Sequence, residues 1–185
     1  MNRIKGLFVW LSRINKCQGF GVQSPFAYQF IRYVINEHAP YYLYEELNDR
    51  DWLTRKLGRL YFRLSNWKQP EKIVCVGEND RFSRFFQAGC RRARIISMEE
   101  SVGENVVLWH VSLADTPFAD IQKILEMAVA DSVLVIEGIY SNREARSYWQ
   151  LVKDSPYVSI TFDLYYCGIV FFDKKRIKQY YVVNF

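Results

Sequence analysis

Three positions in this chain pair a suitable residue type with a place where a ligand could be held: Gly77, Glu99 and Glu137. Gly77 ends the apolar run of residues 73–76 within KIVCVGENDRFSR, and the charged loop Glu78, Asn79, Asp80, Arg81 follows it. A glycine at a strand end lets the chain turn sharply and lets a ligand approach the backbone. In open α/β sheets ligands sit beyond the carboxyl ends of the strands. The loop has one glycine rather than the three of a dinucleotide fingerprint, so an ordinary strand-to-helix turn is the plain alternative. Glu99 follows the next apolar run, close to the roughly 20 residues after the glycine turn at which nucleoside-binding sheets place an acid. A carboxylate there accepts two hydrogen bonds without a competing donor, which suits the two hydroxyls of a ribose. Glu100 and Glu104 nearby leave the alternative of a solvated acid. Glu137 ends the run 132–136 and points to the same crevice, where it could bind a ligand, act as a base or face water. None of the three has a sequence partner that identifies general acid/base chemistry, and no residue stands out as catalytic.

The other chemically versatile residues form no pattern. His38 and His110 are far apart, and Cys17, Cys75, Cys90 and Cys167 show no CxxC spacing. A metal site is therefore not expected, and buried thiols are the plain reading of the cysteines.

The elements that must position Gly77, Glu99 and Glu137 follow from periodicity. The spacing predicts an amphipathic helix over 3–15 with Ile4, Leu7, Phe8, Leu11 and Ile14 on one face. After a loop with Gly19 and Gly21, Ser24 caps a helix whose first residue is Pro25. A long helix over 45–66 carries Leu53, Leu57, Leu60, Tyr61 and Leu64 inward, with Arg55, Lys56, Arg59 and Arg63 outward. Pro70 stops it. From Lys72 strands and helices alternate. Strands are expected at 73–76, 94–98, 105–111 and 132–136, with helices near 82–89 and from Thr116-Pro117. Ser141 and Glu144 read as a capping box opening another helix. Residues 158–164, 168–172 and 180–183 read as strands with no helix between them. A mostly parallel sheet closed by an antiparallel hairpin fits this order. The expectation is one α/β domain over 1–185, with a helical N-terminal extension at 1–70 and a Rossmann-like core at 71–185.

Composition agrees with a globular protein: 185 residues, 50% hydrophobic and 24% charged. No apolar run reaches membrane-spanning length, and 7–11 is too short for the apolar region of a signal peptide, so a cytoplasmic location is expected. The net charge of +5 is uneven, with five arginines in 81–94 and four basic residues in 174–178. Such patches are usually solvated faces, and no localised aromatic stacking signature accompanies them, so nucleic acid is not the expected partner. Phe8 and Trp10 on the first helix suggest self-association.

At three further places the chain resembles a bacterial group of class I S-adenosylmethionine-dependent methyltransferase-like proteins. The stretch Gly21-Val22-Gln23-Ser24-Pro25-Phe26 looks like that group's HGVHSPF motif, with Phe20 and Gln23 where the group has histidines. Residues 41–47 resemble its tyrosine and glutamate segment, and Thr161-Phe162-Asp163-Leu164 with residues 168–172 resembles its TIDLF…GIVFF hairpin. The likeness spans nearly the whole chain. It implies S-adenosylmethionine as cofactor, lying over Gly77, Glu78 and Asn79 with its ribose on Glu99 and with Glu137 lining the same crevice. It also implies a small-molecule or macromolecular methyl acceptor.

The ligand motifs depart from the group. Its glycine turn, ELGTSLGIST, is here Cys75-Val76-Gly77-Glu78-Asn79-Asp80-Arg81-Phe82-Ser83, with Cys75 in place of the strand acid. A helix and a strand usual in the fold are missing between Ser101 and Asn105. The IDGxH pattern is replaced by Leu108-Trp109-His110-Val111, and DDIH by Glu137-Gly138-Ile139-Tyr140. These departures imply a degenerate site with reduced or lost activity. A non-catalytic binding or assembly module on the same sheet is the alternative, with RNA association through the arginines near Arg91 and Arg92 as its minor form.

Overall fold

The structure is a computed structural model that describes residues 3–16, 22–76 and 81–185. The Gly19–Gly21 loop and Gly77, Glu78 and Asn79 lie outside the described residues. The chain divides into two units. One comprises residues 1–69, 81–92 and 183–185, and the other residues 70–80 and 93–182.

The first unit is helical. Helix α1 spans Arg3–Ser12, α2 Pro25–Phe30, α3 Leu43–Glu46, α4 Trp52–Lys68 and α5 Ser83–Gly89. Ser24 caps α2 as its type predicts, its Oγ accepting from Ala27 N at 3.3 Å, and Pro25 is the first helical residue. A π-helical turn, Ile31–Ile35, continues α2. The long helix expected from Glu45 is split. Leu47 ends α3, and Asp51 opens α4 by accepting from Thr54 N at 2.8 Å and Thr54 Oγ1 at 3.0 Å. That amide bond holds the Asp51 carboxyl below its ordinary range. An aspartate with free backbone donors ahead of it is a stronger start signal than helix propensity.

Arg63 overturns the expectation that it faces outward. It is buried, and its Nε donates to Val34 O at 2.7 Å while Nη2 donates to Ile35 O at 3.0 Å. Those two carbonyls lie at the end of the π-helical turn, where helical acceptors lack helical partners. Helices α4 and α5 meet through glycines. A Cβ on Gly58 would come within 2.5 Å of the Phe85 ring, and one on Gly89 within 2.2 Å of Phe62 O. Tyr61 stacks on Phe86 with ring centres 5.0 Å apart.

The second unit is a seven-stranded sheet with α6 (Phe118–Met127) and α7 (Arg143–Asp154). The strands are β1 Lys72–Val76, β2 Arg94–Ile96, β3 Leu108–Ser112, β4 Val133–Glu137, β5 Ile160–Asp163, β6 Cys167–Phe171 and β7 Gln179–Val182. Their order is β2-β1-β3-β4-β6-β5-β7, and only β6 runs antiparallel to its neighbours. This is the Rossmann-like α/β sheet that the alternation of elements predicts. The chain passes from β2 to β3 through turns alone, so β2 borders the sheet, as the shortened sequence there implies. The opposite border is β7, which is followed in space by no further strand among the described residues and preceded in sequence by Lys174, Lys175, Arg176 and Lys178.

One face of the sheet supplies Val74, Ile96, Trp109, Leu134 and Val170 to a core completed by Ile121, Ile124 and Leu125 of α6 and Trp149 and Val152 of α7. Helix α7 is capped by Asn142 rather than Ser141, its Oδ1 accepting from Ala145 N at 2.7 Å. Trp149 packs so closely on β6 that a Cβ on Gly168 would meet its indole at 2.4 Å. The glycine of GIVFF is therefore required by packing.

Candidate ligand-binding rim

Parallel pairing decides which residues share an edge. Register partners Val76, Val111 and Ile136 lie side by side, so Ser112 and Glu137 stand together one residue further on. Strand β2 ends in Ile96, which pairs with Val74, and Glu99 follows in the turn after it. Strand β5 is also parallel to β4, through two antiparallel pairings with β6, so Asp163 ends on the same rim. The rim thus gathers Glu99, Ser112, Glu137 and Asp163, and β1 ends beside them at Val76.

The turn after β2 separates its two glutamates. Glu100 Oε2 accepts from Ser97 N at 2.8 Å, and Ser97 Oγ accepts from Glu100 N at 3.3 Å, so Glu100 closes the turn. Glu99 is exposed. Bonds from its own amide and from the Ser97 hydroxyl hold its carboxyl below the ordinary range, which keeps it an ionised acceptor. That form can accept hydrogen bonds from a pair of hydroxyls.

Glu137 is different. It is 6% exposed, and its Oε1 lies 2.7 Å from Nε2 of His110, which is 5% exposed. The two are diagonal neighbours on adjacent strands. His110 pairs with Val135, and Glu137 is two residues on along the same face. That face is opposite the one carrying Trp109 and Leu134. The sequence offers no partner for Glu137, yet the sheet supplies one 27 positions away. A histidine held by a carboxylate is the arrangement of an oriented general base. Both members of this one are buried, and the pair ties the tips of β3 and β4 together.

A second polar cluster was also missed by sequence reasoning. Asp163 is 5% exposed; its Oδ2 accepts from Tyr140 Oη at 2.5 Å and its Oδ1 from Tyr165 N at 3.0 Å. Tyr140 and Tyr165 stack with ring centres 5.2 Å apart. Tyr165 takes the left-handed conformation, φ +70°, that the tight β5–β6 hairpin requires. The signal in the sequence was an acid inside an otherwise apolar run, followed by two tyrosines. Among the described residues no group of three or more His, Cys, Asp or Glu side chains could hold a metal ion. No helix among them is long and apolar enough to cross a membrane.

The fold has solved counterparts. A methyltransferase from Geobacter sulfurreducens superposes with a TM-score of 0.53 at 12% identity, covering 64% of this chain and 79% of that one. An SAH-bound methyltransferase of Podospora anserina superposes with a TM-score of 0.50 at 10% identity, covering 83% of this chain and 97% of that one. No family model matches the chain, and no curated protein matches it in sequence.

Proposed function

We propose, on the premise of this methyltransferase-type sheet, that the protein is an S-adenosylmethionine-dependent methyltransferase-like protein with a degenerate cofactor site. Its methyl transfer is reduced or lost. The observation that carries this reading is the division of labour between the two rim acids: Glu99 is exposed and ionised, while Glu137 is buried against His110. The ribose side of the crevice is kept, and the acceptor side has turned inward. Gly77, Glu78 and Asn79 complete the proposed cofactor contacts, with Glu137 as the wall beyond them. When bound, the cofactor supplies a methyl group on a sulfonium centre. The chain's share of any remaining catalysis is positioning of an acceptor, which at the high end contributes roughly 7–11 kcal/mol.

Calorimetry with S-adenosylmethionine and S-adenosylhomocysteine tests the cofactor site. Binding by the wild type that weakens roughly 10- to 100-fold in Glu99→Ala is expected, the size of a charge-assisted hydrogen-bond loss. No heat at millimolar ligand overturns the site. Transfer of labelled methyl to cell extract at an ordinary enzyme rate, lost in Glu99→Ala, overturns the reduced activity.

The exposure of Leu7, Phe8, Trp10 and Leu11 on α1 supports the expected self-association. A monomeric mass by light scattering overturns it.

A further inference from the structure

The helical unit contains a cavity of about 860 Å³, lined by the π-helical turn, α3, α4 and the last two residues, with Trp10 of α1. None of its lining residues belongs to the sheet unit. Lys56, Arg59 and Arg63 all line it, and their spacing along α4 puts them on one face of that helix.

The three cations are held differently. Arg63 is fixed by its bonds to Val34 O and Ile35 O, and Nη1 adds one to Tyr44 Oη at 3.3 Å. Arg59 lies over the Tyr44 ring at 4.8 Å, and its Nε is buried with no hydrogen-bond partner. Lys56 has its Nζ 4.5 Å from the centre of the Phe185 ring and 5.4 Å from that of Trp52. Among the described residues neither Lys56 nor Arg59 has an ion pair. Burial, and then the charge of Arg63, push the Lys56 ammonium below its ordinary range. Among the side chains that line the cavity, four cations, with Arg32, stand against two acids, Glu37 and Glu45, and Glu37 Oε1 already accepts from Ala39 N at 2.7 Å.

An orphaned buried guanidinium donor and an uncompensated cluster of like charges are both costly in a folded chain. A ligand bearing several acceptor oxygens and more than one negative charge removes both costs. Arginine and lysine together recognise phosphate in this way, the first through its fork of donors and the second as a point charge. The volume exceeds that of a free ion and lies within the range of small-molecule sites. Tyr41, Tyr44 and Phe185 give the remainder of a ligand an apolar wall. We propose that this cavity is a binding site for a phosphorylated small molecule, its phosphate held by Lys56 and Arg59 with Arg63 as a fixed charge behind them.

Thermal unfolding and calorimetry with inorganic phosphate, pyrophosphate and citrate, at constant ionic strength against chloride, test the proposal. The expected result is a saturable rise in Tm with phosphate and a tighter one with pyrophosphate. Both weaken at least 10-fold in Lys56→Met and Arg59→Gln and are unchanged in Lys175→Met. Pyrophosphate acting no better than chloride overturns the site, as does an equal response in all variants. Citrate binding with phosphate inert overturns the ligand class. In the wild type, reductive methylation with carbon-13 labels Lys56 for NMR. Its titration moves upward when pyrophosphate binds, and a titration unmoved by saturating pyrophosphate overturns the proposal whether or not the variants fold.

Discussion

The two units treat buried charge in opposite ways. In the sheet unit, Glu137 is answered by His110 and Asp163 by Tyr140 and the Tyr165 amide, so the polar groups at the rim are spent on one another. In the helical unit, Arg63 is answered by two carbonyls, but Lys56 and Arg59 rest on aromatic faces and, among the described residues, neither has an ion pair. The lesson is that inherited fold and present chemistry need not coincide. The rim proposed for a cofactor is partly occupied by internal bonds, while the stretch that reads as plain scaffold keeps charges that the chain itself does not pair.

The contrast breaks most readily at Arg63. Arg63→Met strands the Val34 and Ile35 carbonyls and should cost about 3 kcal/mol, read from urea unfolding. Gly168→Ala drives a methyl into Trp149 and should cost about 2 kcal/mol by the same measurement. If it costs nothing, the close approach of α7 to β6 is wrong. Glu137→Leu removes the charge-assisted bond to His110 and should cost about 2 kcal/mol. A neutral result would mean that the rim pair contributes no net stability.

Lys56→Met should have the opposite sign and stabilise by about 1 kcal/mol, because it removes a repelled charge and keeps the stem. Its pH dependence sharpens the point. Lys56 has a lowered value in the fold, so between that value and 10.5 the unfolded chain binds more protons. Wild-type stability therefore rises with pH across that window and is lowest, as far as this group is concerned, below it. The charged and titratable groups that line the cavity with Lys56 are Arg32, Arg59, Arg63, Glu37, Glu45, His38, Tyr41 and Tyr44, and Tyr44 is itself raised by burial. Lys56→Met should flatten the rise. Smallest of all is Glu99→Ala, which should leave the urea midpoint unchanged because the side chain is exposed, whatever it does to binding.

Much of the sheet was legible in the sequence. The runs ending in Val76 and Glu137 are apolar along their length, as strands covered on both faces must be, and the tip position of Glu99 followed from the strand before it. The Asp51 start of α4 was missed because Glu45 and Glu46 continue a helical composition across the break. Arg63 was placed outward because charge usually means solvent, and nothing local records that carbonyls about 30 positions earlier would need its donors. The His110–Glu137 pair was invisible for a related reason. Cross-strand partners depend on strand order and register, and both residues only interrupt apolar runs. A charged or titratable residue inside such a run is the usable signal, and Asp163 carries it as well.

The borders of the sheet bear on how this protein survives in a crowded solution. A strand with one unanswered row of amides and carbonyls can recruit a stranger's backbone and grow a fibril. At one border β2 is three residues long, too brief to template much. At the other, β7 exposes Tyr180 and Val182, and the run of lysines and arginine just before it repels an approaching copy. Those four cations act as gatekeepers, and neutralising them should trade solubility for sideways polymerisation.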